Sequence, residues 1–412
     1  MPGVTRTRPL VVYWDNIPAP YTVERFNTLA DRGNIVVAVW FAGRTDPAHG
    51  WDVDEASWRF RGEYVKDPSA GLASAYRFVE RCTEIRPDLV LMLHGERPFV
   101  AGMPLIKALG FRISLQVLPT YDAWIRRAWW KEIAKHLIFR SVDAAKTAGP
   151  DGQAHWERYG LPAERIFHVR QSIDLDRYAV CPSEAERTAL RTRLGLEGCA
   201  FVYVGRFWQG KGVSTMMDAY RASRLVNPHM SLLLVGDGPL EASLRRQADG
   251  VPGVVFHPFV QAAELPKYYA AGDVFVFPTL GDPHGHVVEE AQAARLPVIA
   301  TTEAGEIRRR VVDGVSGFIV PPRDSAALSA RMLALASDPA LRAAMGSRGY
   351  DHAATLGHDT WARDFERFVA DALALPRRST LAAMTMKAAG VVALQVVGLG
   401  GRARAARARS RG

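Results

Sequence analysis

At 412 residues, with 48% hydrophobic and 23% charged residues, the chain is too long for one ordinary core, and two soluble globular domains are expected. The net charge of +9 is concentrated in the tail. From Pro376 onward there are eight basic residues and no acidic one, so the body is close to neutral and a general nucleic-acid surface is not implied. Cys82, Cys181 and Cys199 have neither metal-site nor disulfide-framework spacing, and residues 1–8 lack the apolar stretch of a signal peptide, which points to a cytoplasmic protein.

The first half alternates apolar runs with helical patterns. Strands are expected at Leu10–Trp14, Ile35–Trp40, Leu89–Leu93 and Ile113–Leu118, and helices at about 22–31, 71–85, 101–109 and 122–140. This rhythm predicts a parallel sheet. The loop after the first strand is rich in proline, with Pro18, Pro20 and Tyr21 leading into a helix. In the stretch 124–139, Ile125, Trp129, Ile133 and Leu137 recur every four residues, while Arg127, Lys131 and Lys135 form a basic stripe. That pattern fits an ordinary amphipathic helix with a solvated basic face, or a surface set against an anionic membrane or a diphosphate-bearing acceptor. A turn and helix over 146–159 and a strand at Arg165–Val169 close this half. Asp52/Asp54 and Asp174/Asp176 read as turns rather than as a metal motif.

After a linker with a helix at Glu184–Arg193 the rhythm restarts. Strands are expected at Cys199–Val204, Met230–Val235, Val254–Val260, Val274–Pro278, Pro297–Ala300 and Ser316–Pro322. Helices are expected at Val213–Ser223, Leu240–Gln247, Ala262–Ala271, from Gly285, and at about 325–336 and 338–346. The segment Gly236-Asp237-Gly238-Pro239 reads as a turn capping the next helix. Trp361–Leu373 is an amphipathic helix stopped by Pro376. The apolar run 388–401 is too short to span a membrane. With the Ala/Arg repeat after it, the tail reads either as disordered or loosely docked, or as an anchor on anionic lipid.

Two loops carry the chemistry. The stretch Gly281 to Ala300 puts a turn and a helix N-terminus at the carboxyl end of a strand, where open α/β sheets bind ligands and backbone N–H groups favour phosphate oxygens. Asp282 lies on the loop and Glu290 on the helix, and carboxylates there suit the hydroxyls of a ribose or hexose. About 75 residues earlier, Gly205-Arg206 and Lys211-Gly212 place two cations on the same sheet edge, suited to a departing diphosphate.

These two stretches resemble the signature of retaining glycosyltransferases of the GT-B fold, family 4 (glycosyltransferases group 1). Gly285, Glu290, Ala291, Pro297 and Val298 match the pattern Glu-x-Phe-Gly-x4-Glu-Ala followed by Gly-x-Pro-Val. Asp282, His284 and Arg295 replace the family's first Glu, its Phe and its second Gly. The resemblance implies an α/β protein with two Rossmann-like domains whose parallel sheets face a central cleft. Residues 1–178 would be the acceptor domain, 179–360 the donor domain, 361–378 a crossover helix returning to the first domain, and 379–412 an apolar and basic tail. It also implies transfer of a hexose from a nucleotide diphosphate sugar to a glycan or lipid-linked hydroxyl, with retention, without metal or other cofactor. Arg206 and Lys211 would hold the diphosphate, Asp282 the sugar and Glu290 the ribose. Gly205, Phe259, Val260, His284, Gly285 and His286 would complete the donor site. His94, Tyr121 and Asp122 are the acceptor-side candidates. Arg127, Lys131, Lys135 and the basic tail would meet the inner membrane face, and no nucleic-acid partner is expected. A catalytically silent subunit of the same fold, or a nucleotide-sugar epimerase or hydrolase, is the alternative.

Overall fold

The computed structural model describes residues 7–44, 50–64, 72–93, 97–116 and 129–392. In the first half the chain runs β1 (Leu10–Asp15), α1 (Pro20–Arg32), β2 (Val36–Phe41), β3 (Arg61–Tyr64), α2 (Leu72–Ile85), β4 (Leu89–Leu93), α3 (Arg97–Ala108), β5 (Arg112–Gln116), α4 (Trp129–Ser141), β6 (Ala144–Thr147), α5 (Pro150–Arg158) and β7 (Ile166–His168). The short α6 (Leu175–Tyr178) and α7 (Glu184–Leu194) lead into the second half. There follow β8 (Cys199–Val204), α8 (Val213–Val226), β9 (Met230–Val235), α9 (Glu241–Ala248), β10 (Val254–His257), α10 (Leu265–Ala271), β11 (Val274–Phe277), α11 (Val287–Ala293) and β12 (Val298–Thr301). The last elements are α12 (Ile307–Arg310), β13 (Gly317–Val320), α13 (Ser325–Ser337), α14 (Pro339–Ala353) and α15 (His358–Ala374).

Two parallel sheets result. The first has the order β3-β2-β1-β4-β5-β6-β7 and the second β10-β9-β8-β11-β12-β13. Helices cover both faces of each sheet, so central strands such as β8, buried at all six positions, read as continuous apolar runs rather than as alternations. Strand order reverses beside β1 in the first sheet and beside β8 in the second. The crevices at these reversals face one another across the cleft.

Local chemistry sets several boundaries. Pro20 starts α1 and Gly33, at φ 66°, stops it. Ser183 and Glu186 form a reciprocal capping box on α7. Asp54 and Asp174 accept backbone N–H bonds at the starts of a 3₁₀ turn and of α6, as their reading as turns required. Helix α15 leaves the second domain and packs on the first. Trp361, Phe365 and Phe368 join Tyr13, Phe26 and Val39 in one buried cluster. Arg32 grips Glu366 through two bonds of 2.9 Å each. Truncating Phe365 to Ala would remove the centre of this contact at a cost of about 3–5 kcal/mol.

Four elements lie outside the sequence expectations, the four-residue α6 among them. Edge strand β3 is polar, and β6, Ala-Ala-Lys-Thr, is short and weakly apolar although buried at every position. The four-residue α12 is too short to show a period. Asp237 does not cap α9, whose N-cap is Leu240 without a side-chain bond. The four-residue stripe on α4 also faces the other way from a core stripe. Trp129, Ile133 and Leu137 are 75%, 52% and 46% exposed. The register is set instead by Ile138, Phe139 and Val142, with Phe139 packed 4.3 Å from the Trp156 ring. Beyond α15, residues 381–392 are helical and lie against the first domain through Ala383 and Met386. Thr380 donates to the Arg140 carbonyl at 2.9 Å.

Candidate active site in the interdomain cleft

The carboxyl ends of both sheets enclose a cavity of about 230 Å³, to which the first domain contributes Tyr21, Glu24 and Trp51. Gly205, Arg206, Lys211, Phe259, Val260, Asp282, Gly285, His286 and Glu290 all line it from the second domain. His284 does not; it lies buried behind the loop. His94, Tyr121, Asp122 and Arg127 fall outside the described residues, as does the Lys131 side chain. Lys135 is partly buried, with its ammonium 5.6 Å from the centroid of Tyr159.

The turns after β8 and β9 meet backbone to backbone. A Cβ at Gly236 would sit 2.1 Å from the Gly205 carbonyl oxygen, so this approach requires glycine. Arg206, at the tip of the first turn, is exposed, and its carbonyl accepts from the Tyr203 hydroxyl at 2.9 Å. Lys211 is ion-paired to Asp282. Asp282 also accepts from the His284 N–H at 3.0 Å. Burial pushes the Asp282 carboxyl up, but the Lys211 charge and the two hydrogen bonds outweigh it and hold the group below the ordinary range. Gly285, at φ 70°, faces the Phe277 ring, where a Cβ would come within 2.3 Å.

Glu290 sits in the first turn of α11, and Tyr269 donates to it at 2.6 Å. Burial raises its carboxyl to about 7 against the opposing bonds from Tyr269 and Tyr178. His286 stacks on Tyr21 across the cleft, 4.3 Å between centroids and 30° between planes. Burial, with Arg25 and Arg310 nearby, drives its pKa down to about 3, so the ring is neutral at physiological pH. At the other end of the cavity Phe259 meets Trp51 edge-on at 5.3 Å, and Gln261 donates to the Gly50 carbonyl at 2.8 Å.

Several polar residues at the site were not singled out from the sequence. Arg310 is 4% exposed and holds the loop from behind. It grips Glu289 with bonds of 2.5 and 2.6 Å, donates to the carbonyls of Gly285 at 2.7 Å and Gly305 at 3.1 Å, and contacts the His284 carbonyl. On the first-domain side, Arg25 lies 5.2 Å from the Tyr21 centroid and donates to Gln171 at 2.5 Å. Lys146 donates to Gln116 at 2.7 Å, and that amide oxygen also accepts from Tyr13 at 2.8 Å. Burial lowers the Lys146 ammonium to about 7. Arg310 ends a three-arginine run that looks like solvated surface, and Lys146 sits in a strand too short to recognise. Only Tyr21, in its proline-rich loop, carried a local signal. Among the described residues no group of three or more His, Cys, Asp or Glu side chains has the geometry of a metal site.

Residues 198–338 match the family model described as Glycosyl transferases group 1. A D-inositol 3-phosphate glycosyltransferase of Xylanimonas cellulosilytica is 31% identical over 228 residues, 51% of this chain and 54% of that protein. A GDP-mannose-dependent α-(1-6)-phosphatidylinositol monomannoside mannosyltransferase of Mycolicibacterium smegmatis is 32% identical over 199 residues, 46% and 51% of the two chains. The chain thus spans about half the length of the curated relatives it matches. Anabaena HepE, solved with UDP-glucose, superposes with a TM-score of 0.71 at 18% identity, over 88% of this chain and 99% of that one. Residues 198–338 are therefore a glycosyl transferases group 1 domain, and the two domains together have the GT-B fold.

Proposed function

We propose that the cleft transfers a hexose from a nucleotide diphosphate sugar to an acceptor hydroxyl with retention of anomeric configuration. One observation carries this reading: Arg206, Lys211, Asp282 and Glu290, from separate segments, line a single cavity closed on its far side by the first domain. In this reading Arg206 and Lys211 take the diphosphate. Lys211, now paired with Asp282, would turn to the phosphate as Asp282 accepts hydroxyls of the sugar. Glu290 accepts from the ribose, and the base lies toward Phe259, Val260 and Trp51. As the bond from the anomeric carbon to the diphosphate oxygen breaks, negative charge grows beside these two cations, which favours the transition state over the ground state. The acceptor oxygen bonds to the same face of the sugar, and its proton passes to the departing phosphate oxygen. Neutral His286, held by Tyr21, serves as a hydrogen-bonding group at the sugar rather than as a charge. No metal ion is assigned a role.

The acceptor is proposed to reach the cleft from a membrane surface. The support is the outward face of α4, where Trp129 and Ile133 are exposed, together with the arginine-rich sequence of residues 402–411. Among the described residues no helix is long and apolar enough to cross a membrane. Co-sedimentation with anionic vesicles should fall in Trp129→Ser/Ile133→Ser, and unchanged binding would remove α4 from this role.

The donor reading is tested by thermal-shift titration with UDP, GDP, ADP and CDP and their sugars. A midpoint rise for one nucleotide, lost in Arg206→Ala/Lys211→Ala, is expected. No rise for any of them with folded protein would favour a catalytically silent relative.

A further inference from the structure

Behind the donor loop lies a second interdomain cavity, of about 170 Å³, far above the roughly 10–15 Å³ that one water needs. Arg170 lines it from the end of the first domain, Arg309 and Arg310 from α12, and His284, Glu306 and His352 complete its polar wall. Arg310 is already neutralised by Glu289. Arg170 makes one bond, to Thr355 at 3.2 Å, and no ion pair is formed by Arg170 or Arg309 among the described residues. His284 is 7% exposed, and neither of its ring nitrogens has a hydrogen-bond partner; Nε2 stands 3.6 Å from Glu289. The His352 Nε2 is likewise unpartnered. Glu306, at the strained φ of 55°, uses Oε1 to accept from the Gly152 N–H at 3.0 Å and leaves Oε2 buried without a donor.

Two guanidinium groups outside any close ion pair, of which Arg309 feels the Glu306 charge, and two imidazoles whose ring nitrogens are unpartnered favour an oxyanion. Burial and Asp151 raise the Glu306 carboxyl, opposed by the Gly152 N–H and Arg309; in its ionised form the unpartnered oxygen narrows the choice, because a carboxylate only accepts hydrogen bonds. An anion lodged beside it must bring its own O–H. Phosphate and its monoesters carry one when partly protonated, whereas sulfate has none near neutral pH. The geometry points to a second ligand site in this cavity, one that takes inorganic phosphate or a small phosphate monoester in its protonated form and discriminates against sulfate. Its walls come from both domains, directly behind the loop that carries Asp282 and His286. A ligand there would therefore fix their relative position.

The test uses the full chain at pH 8, where phosphate keeps one proton, and titrates inorganic phosphate and sulfate separately at constant ionic strength. A saturable rise in unfolding midpoint of about 3–6 °C is expected at roughly ten times the Kd of phosphate, with a smaller rise for sulfate. The rise should persist in Arg206→Ala/Lys211→Ala and vanish in Arg309→Ala, whose side chain is exposed and outside the cores. In Glu306→Gln, whose amide can donate as well as accept, the preference for phosphate should disappear. A phosphate effect lost with Arg206 and Lys211 but kept in Arg309→Ala would locate it in the donor cleft and overturn the proposal. Equal responses to the two anions, or none in the native chain, would overturn it too. Competition by glycerol phosphate, followed by ³¹P line-broadening at about pH 6, where a monoester is roughly half protonated, tests the monoester: it should displace inorganic phosphate there and do so more weakly at pH 8, and equal competition at both pH values would overturn the requirement for an O–H.

Discussion

Replacing Arg310 tests whether the donor loop is held from behind. Arg310 and Glu289 are 4% and 3% exposed, so Arg310→Met leaves a carboxylate buried without its cation. Breaking such a pair from one side costs about 3–5 kcal/mol, and the carbonyls of His284, Gly285 and Gly305 lose a donor as well. At about 2–4 °C per kcal/mol for a domain of this size, the charge contribution alone lowers the unfolding midpoint by about 6–20 °C. Glu289→Met/Arg310→Met removes the orphan charge and should recover much of that loss. It should not recover nucleotide affinity, because the loop carbonyls remain unheld and Asp282 loses its fixed place. Arg310→Lys keeps the charge without the planar fork and should fall between. Thermal unfolding by circular dichroism, with nucleotide titration on each variant, separates the two effects. A single variant within about 1 kcal/mol of the native chain, or a double variant no more stable than the single, would refute the clamp.

Glu290 predicts a pH dependence. Its folded pKa of about 7 exceeds the ordinary 4.5, so the folded state keeps the proton longer than the unfolded one and stability declines as pH rises from 4.5 through 7. Donor affinity should move oppositely, since the carboxylate is the form that accepts ribose hydroxyls. Glu290→Gln should flatten both profiles, which unfolding and donor KM measured from pH 5 to 8 will check. Tyr21→Ala removes the stack on His286 and should lower kcat/KM by roughly 2- to 13-fold, the equivalent of about 0.5–1.5 kcal/mol; an unchanged value would show the stack to be incidental. Transfer activity should survive dialysis against EDTA, measured by release of nucleotide diphosphate. Loss restored by a divalent cation would contradict the role given to Arg206 and Lys211.

What was legible in the sequence followed from periodicity and from loops whose chemistry is local. The βα rhythm gave the two parallel sheets because buried strands such as β8 and β9 are apolar throughout. Arg206, Lys211, Asp282 and Glu290 stood out because each sits where a strand becomes a helix, and all four line one cavity. The stripe on α4 misled because its four-residue spacing is regular, whereas the residues that face the core, Ile138, Phe139 and Val142, belong to a different face. Periodicity says that a helix has an apolar side; tertiary packing decides which side is covered.

The residues that escaped notice share one property: their partners are far away in the chain. Glu306 reaches Gly152 over 154 positions, Arg25 reaches Gln171 over 146, and Arg310 reaches Glu289 over 21. No local pattern marks such pairs. Glu306 carries instead a conformational trace, visible only in the backbone, which it shares with Arg295, a residue the sequence did mark. Glu306 and Arg295 occupy left-handed positions at φ 55° and 59°, a conformation costly for residues with a Cβ. Arg295 stands where the resembling family has glycine, and its guanidinium lies 3.8 Å from the Tyr350 ring centroid, a cation–π contact that offsets part of the strain. Glu306 is held by the first domain, through the Gly152 N–H and through its own N–H, which donates to Asp151 at 3.2 Å. At Arg295 the compensation lies within the second domain. At Glu306 it lies across the cleft, in bonds to two residues of the first domain.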